Sequence, residues 1–283
     1  MSRLLRFRHH AMATVFEVII CEADAEEKYA AQAAQAVFRE IDQLEDELSR
    51  FRPVSDIWRI NNLRAGESAT VGAAAIDCLC LAKAVYEETK GAFDITIGPL
   101  MRAYFNQDGT PRQPPQQELD FVKSRIGTSL IEIEPVPGKV TVHCDYPLLD
   151  LGALGKGYAL DQAVEILQQW SVPNALLNAG DSTVLGLGAP PDEKGWIVTV
   201  GNEAPQALLL TDRSVSGSGF AVKGAHIMNP RTLRPVAIQR DLVWASAPTA
   251  AMSDALSTAF MVMDKPEIRE FCMRHPDVEA ILG

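Results

Sequence analysis

The sequence has no apolar run of about twenty residues, so no bilayer-spanning helix is expected. Basic residues are few, with 26 Lys and Arg against 37 Asp and Glu. The net charge of −11 excludes the broad basic surface that a nucleic-acid backbone requires. Any anionic ligand must therefore be held by local devices: glycine turns, helix ends or a bound cation. Cysteines are scattered as Cys21, Cys78, Cys80, Cys144 and Cys272. Cys78-x-Cys80 has no second pair to complete a zinc site, and the odd number argues against a disulfide framework. They read as reduced, mostly buried thiols, which favours a reducing compartment. No histidine stands at metal-ligand spacing from another, and there is no repeat or low-complexity segment. An export signal is also wanting: the basic start is followed by an apolar run broken at Glu17, and Cys21 lacks the small residues that precede a lipoprotein cysteine. A cytoplasmic location is the expectation.

What is present is an ordinary globular composition, 283 residues with 47% hydrophobic and 22% charged, able to bury a sizeable core. Phe16 to Cys21 predicts the first strand, and Asp24 to Leu48 a long amphipathic helix with Val37, Ile41 and Leu44 on its apolar face. Ser55 is placed to cap a short helix through Ile60. Ala73 to Lys90 predicts a second long helix ended by Gly91, and Phe93 to Pro99 a strand edge closed by a Gly-Pro turn. After a polar loop from Asn106 to Gln117, Leu119 to Ser124 predicts a helical turn. Leu130 to Glu134 and Lys139 to Cys144 then form a hairpin around Pro135 to Gly138. Further strands are expected at Asn174 to Leu177, Trp196 to Val200, Ala207 to Thr211 and Leu242 to Ala247. Helices follow at Thr249 to Met263 and Pro266 to Arg274. The order reads as α+β, with mostly antiparallel strands and long helices on one face.

The chain is organised around Asp150-Leu-Gly-Ala-Leu-Gly-Lys-Gly-Tyr-Ala-Leu-Asp161, read as a strand that turns through glycines into a helix over Tyr158 to Trp170. A glycine-rich helix start offers free N–H groups and a positive dipole end, which suits phosphate, and Lys156 adds a full charge. The spacing fits neither G-x-x-x-x-G-K-[ST] nor G-x-G-x-x-G, so a plain connection with a solvated lysine fits equally. Asp254 and Thr258 share a helical face, oxygen ligands that suit a hard cation, or else a dipole-favoured aspartate above a packed threonine. His226, in Gly224-Ala-His-Ile-Met-Asn-Pro-Arg231, could be a general base or a loop hydrogen-bonder.

In order, the chain carries Met12-Ala-Thr, Ser49-Arg-Phe-x-Pro-x-Ser55, Phe93-Asp-Ile-Thr-Ile-Gly-Pro-Leu100, the Asp150 to Asp161 stretch and Asn178-Ala-Gly. Ser216-Gly, His226-Ile-x-x-Pro-Arg-Thr232 and Ser253-Asp-Ala-x-Ser-Thr258 complete the set. Together they resemble the ApbE family, Mg²⁺-dependent FAD:protein FMN transferases, over Met12 to about Met263. The resemblance implies a single domain over 1–283, a two-lobed, T-fold-like unit with FAD bound between the lobes. It implies Mg²⁺ ligands at the Ala153 carbonyl and the Asp254 and Thr258 side chains. It places FAD contacts at Met12, Phe51, Ala92, Phe93, Asp94, Asp150, Lys156 and Ile227, and the base at His226. The implied reaction transfers FMN from FAD to a Ser or Thr of an acceptor flavoprotein, releasing AMP. The alternatives are an FAD pyrophosphatase and a non-catalytic flavin binder. Departures from the family pattern stand at Asn229 for Asp, Leu233 for Gly and Asp181 for Gly; loss of a carboxylate at Asn229 would weaken a nearby cation site.

Overall fold

The computed structural model describes residues 3–22, 27–180, 182–201, 205–219, 227–236 and 242–282. Its frame is a seven-stranded sheet, antiparallel throughout, built from β1 (Arg3–Ala11), β2 (Thr14–Glu22), β6 (Ala175–Ala179), β7 (Thr183–Leu187), β10 (Arg213–Gly219), β13 (Leu242–Ala247) and β14 (Glu279–Leu282) in that spatial order. Three helices cover one face: α1 (Glu27–Leu48), α6 (Gly155–Gln169) and α7 (Ala250–Val262). Strand alternation explains the burial. Phe16, Val18 and Ile20 of β2 join the helix-side core with Val37, Ile41, Leu160 and Phe260, while Ile19 and Cys21 point to the other face. That second face packs on the hairpin of β8 (Trp196–Val200) and β9 (Gln206–Leu210) through Trp196, Val200 and Leu210.

The remaining elements flank this frame. Ser55 caps α2 (Asp56–Asn61) by accepting from the Trp58 N–H. A small sheet, β3 (Ser68–Thr70), β5 (Lys139–Val142) and β4 (Ile131–Glu134), adjoins α3 (Ala73–Glu88). The short helices α4 (Gly98–Tyr104) and α5 (Gln116–Lys123) share a satellite core with Met228, from the two-residue pair β11 (Met228–Asn229) and β12 (Arg234–Pro235). α8 (Lys265–Arg274) precedes the last strand, held by a capping box between Asp264 and Glu267.

Three expectations are corrected. Phe16 to Cys21 lies in the second strand, because the basic start folds as β1 and its charged residues suit a sheet edge. Phe93 to Pro99 is no strand edge: Pro99 opens α4, where its missing N–H costs nothing. Nor does a strand lead into the glycine stretch. The segment at Leu149 is instead held by Asn61, whose amide donates to the Leu149 carbonyl at 3.0 Å and whose oxygen accepts from its N–H at 2.7 Å. Cys78, Cys80, Cys144 and Cys272 carry free thiols, Cys21 and Cys78 are buried, and no helix among the described residues is long and apolar enough to cross a membrane.

Candidate active site

The two helix starts of α6 and α7 hold one another. Asp161 of α6 accepts from the Ala250 and Ala251 N–H groups at 2.7 and 2.9 Å, pinning the first turn of α7. Asp254 of α7 reaches back to the first turn of α6, where the Gly157 N–H donates to Oδ2 at 3.2 Å and the Lys156 ammonium lies 3.2 Å away. Lys156 Nζ also donates to the Gly152 carbonyl at 3.3 Å. A Cβ at Gly157 would collide with the Ala250 carbonyl, so this glycine is required for helix contact. Gly152, Gly155 and Gly157 all lie outside the left-handed region, so the turn uses no backbone angle reserved for glycine. Burial pushes the Asp161 carboxyl up to about 6, with the Asp254 charge adding to the effect.

Asp150 ties this corner to two other segments. Its N–H donates to the Ile95 carbonyl at 2.8 Å, its Oδ1 accepts from the Gly152 N–H at 2.9 Å, and its Oδ2 pairs with the Arg50 guanidinium at 3.4 Å. Arg50 in turn lies over the Phe51 ring, 4.3 Å from its centroid. That ring is 75% exposed, an aromatic face open to a planar ligand. Ala92, Phe93 and Asp94 are buried beside Ile95. Asp94 Oδ1 accepts from both the Thr96 N–H and hydroxyl, at 2.8 and 2.6 Å, while Oδ2 has no partner among the described residues. Burial raises the Asp94 pKa. A buried carboxylate oxygen left unpaired is costly, and a ligand N–H would satisfy it.

Phe51, Asp94, Asp150, Lys156 and Asp254 are thus linked by direct contacts or through adjacent residues, and Ala153 lies in the turn between Asp150 and Lys156. Thr258, one turn beyond Asp254, meets Ser218 of β10 at 3.2 Å. Met12 lies at positive φ in the tight β1–β2 turn, packed against the main core and lining a cleft of about 440 Å³ with Glu45. The Gly180 turn packs onto the same hairpin, where a Cβ would strike Thr14. Ile227 is buried in the main core. His226 and Asp181 lie outside the described residues.

Sequence reasoning gave no role to Arg50, Asp161, Ser218 or Arg231. A buried acid at helical spacing from the glycine stretch was the available signal for Asp161. For Arg50 the signal was an arginine beside the motif aromatic. Two departures have a visible local fit. Asn229 Oδ1 accepts from the Arg231 and Thr232 N–H groups at 2.9 and 3.3 Å, bonds an aspartate oxygen would accept equally. Leu233 keeps a left-handed φ of 58° where glycine would sit without strain, at a cost of about 1 kcal/mol.

Among the described residues no three His, Cys, Asp or Glu side chains are grouped so that they could hold a metal ion by themselves. Around Asp254 the protein offers one buried carboxylate, a threonine hydroxyl and the turn at Ala153. That donor set fits Mg²⁺, which keeps water or substrate phosphate in its remaining positions. Asp254 already faces a cation, the Lys156 ammonium.

The fold matches that of the flavin transferase ApbE from Vibrio cholerae, with a TM-score of 0.87 at 19% identity over 100% of this chain and 94% of that one. The ApbE protein of Thermotoga maritima matches at 0.84 and 24% identity, over 99% and 94%. In sequence, the FAD:protein FMN transferases of Salmonella typhimurium and Escherichia coli are each 26% identical, over 93% of this chain and 79% of theirs. The pattern of the ApbE family matches residues 12–282, and the chain belongs to the ApbE family.

Proposed function

We propose that this protein is an FAD:protein FMN transferase that requires Mg²⁺ and modifies a Ser or Thr of an acceptor protein. The observation that carries the reading is the buried Asp254 carboxylate, faced by Lys156 at a glycine-rich helix start and followed one turn on by Thr258. The names of the relatives support the same reading. FAD is the substrate. The exposed Phe51 ring offers its isoalloxazine a stacking face, the unpaired Asp94 Oδ2 accepts a ligand N–H, and Lys156 meets the pyrophosphate. Bound at Asp254, Thr258 and the Ala153 carbonyl, Mg²⁺ would neutralise charge on the pyrophosphate oxygens.

The acceptor hydroxyl attacks the FMN-side phosphorus, the bridging P–O bond breaks, and its electron pair leaves on AMP. His226 takes the hydroxyl proton, since a hydroxyl is a weak nucleophile at neutral pH. Lys156 stabilises the charge that collects on the departing phosphate. His226→Ala is expected to keep FAD bound and to slow transfer roughly 10²- to 10⁴-fold; unchanged transfer would remove the base from this assignment. The deciding experiment incubates the protein with FAD and a Ser/Thr acceptor peptide, with and without Mg²⁺, and follows AMP, FMN and peptide-bound flavin. Mg²⁺-dependent AMP with flavinylated peptide is expected. AMP with free FMN would make water the acceptor, and FAD binding without AMP would make the protein a flavin binder.

A further inference from the structure

Between β10 and α7 runs a seam of hydroxyls in place of aliphatic packing. Ser214, Ser216 and Ser218 alternate along β10 and face Ser253, Ser257 and Thr258 of α7. Ser214, Ser216, Ser253 and Ser257 are fully buried, so the direction of each hydrogen bond is constrained by the rest. A hydroxyl has one proton. Ser257 spends its proton on the Asp254 carbonyl, at 2.9 Å. The 2.8 Å contact between Ser218 and Ser257 is therefore made by the Ser218 proton. With that proton committed, the 3.2 Å contact between Ser218 and Thr258 is made by the Thr258 proton.

The usual alternative for a helical threonine is to donate to the carbonyl four residues back. Here that carbonyl belongs to Asp254 and already receives Ser257. The upper half of the seam is oriented the same way: Ser253 donates to the Ala250 carbonyl at 3.1 Å, so Ser216 donates to Ser253 at 2.6 Å.

We infer that Ser218 is a positioning residue for the cation site, taking the Thr258 hydroxyl proton so that the lone pairs of Thr258 Oγ1 are left for a metal ion. This rests on the assignment of Asp254 and Thr258 as metal ligands. Ligands oriented by an outer hydrogen bond lose affinity when that partner is removed, typically 10- to 100-fold. Without Ser218 the Thr258 hydroxyl rotates to find another acceptor, and its lone pairs turn with it.

The test is Mn²⁺ binding to the purified full chain, followed by the electron paramagnetic resonance signal of the free ion, with thermal unfolding as the check on folding. Ser218→Ala is expected to weaken Mn²⁺ binding roughly 10- to 100-fold, and Ser218→Thr, which keeps an acceptor oxygen, to restore most of it. Ser257→Ala supplies a second variant: it frees the Ser218 proton to turn toward Thr258, and weakened binding is expected there too. If Asp254→Asn and Thr258→Ala weaken binding while Ser218→Ala and Ser257→Ala match wild type, the positioning role is overturned and the metal ligands stand. If wild type does not bind Mn²⁺, or Asp254→Asn and Thr258→Ala bind as wild type does, the metal assignment falls and the inference falls with it.

Discussion

Asp254 is a carboxylate whose side chain is 5% exposed, and the Lys156 ammonium at 3.2 Å is its counter-charge. The Gly157 N–H supplies only a partial charge. Removing the ammonium leaves a buried anion that one hydrogen bond cannot compensate. Lys156→Met is therefore expected to destabilise the metal-free protein by about 2 kcal/mol, less than for a fully buried pair because Lys156 is partly solvated. A cation bound at Asp254 would supply the missing charge, so added Mg²⁺ should recover much of that loss in the variant. Thermal unfolding with EDTA and with Mg²⁺ checks this; an equal loss in both would separate Asp254 from any metal. Asp254→Ala, by contrast, should abolish Mg²⁺-dependent release of AMP, since it removes the only carboxylate of the donor set.

The unit that places these groups is the α6–α7 pair, in which each helix start is bonded by the other's carboxylate. Because Gly157 meets the Ala250 carbonyl, Gly157→Ala must push the helices apart, at about 3 kcal/mol. Melting temperature and Mg²⁺ affinity should fall together. Asp161 adds a pH signature. Its folded pKa of about 6 lies above the ordinary 3.8, so the folded state binds the proton more tightly. Its contribution to stability is complete at low pH and is lost as pH rises from about 4 to about 6. The stability difference between wild type and Asp161→Asn should shrink across that window and stay flat above it, as denaturant unfolding at a series of pH values would show. Elements of this kind differ in how plainly they can be read. α1, α2 and α7 are legible because apolar spacing and the caps Ser55 and Thr249 agree with the fold. β10 is not, because its inward positions carry serines, and Arg213-Ser-Val-Ser-Gly-Ser-Gly reads as a loop. The motifs behind the family resemblance were legible through their order in the chain, whereas the bonds that Asp161 and Ser218 make run to partners far away in sequence.

Across the whole molecule, Arg231 joins three distant segments. Its Nε donates to the Lys90 carbonyl at 3.0 Å, its Nη2 to the Thr89 carbonyl, and its Nη1 pairs with Glu267 of α8 at 2.8 Å. Thr89 in turn accepts the Phe93 N–H, so this one guanidinium connects the segment following His226 to the turn that leads into Ala92, Phe93 and Asp94. On the proposed reading these segments carry the base and the flavin contacts, and their relative placement sets the distance between acceptor hydroxyl and phosphorus. Lysine cannot replace this role, because a single ammonium lacks the planar fork that reaches two carbonyls and a carboxylate at once. Arg231→Lys should lose about 1 to 2 kcal/mol of stability from the bonds it cannot make. A misplacement of the loop by about 1 Å can lower a transfer rate roughly 100-fold, while the Phe51, Asp150 and Lys156 contacts, which do not involve Arg231, remain. The expected result is a fall in kcat for peptide flavinylation with the KM for FAD little changed. A matching rise in KM with kcat intact would show that Arg231 shapes the flavin pocket and leaves the geometry of transfer alone.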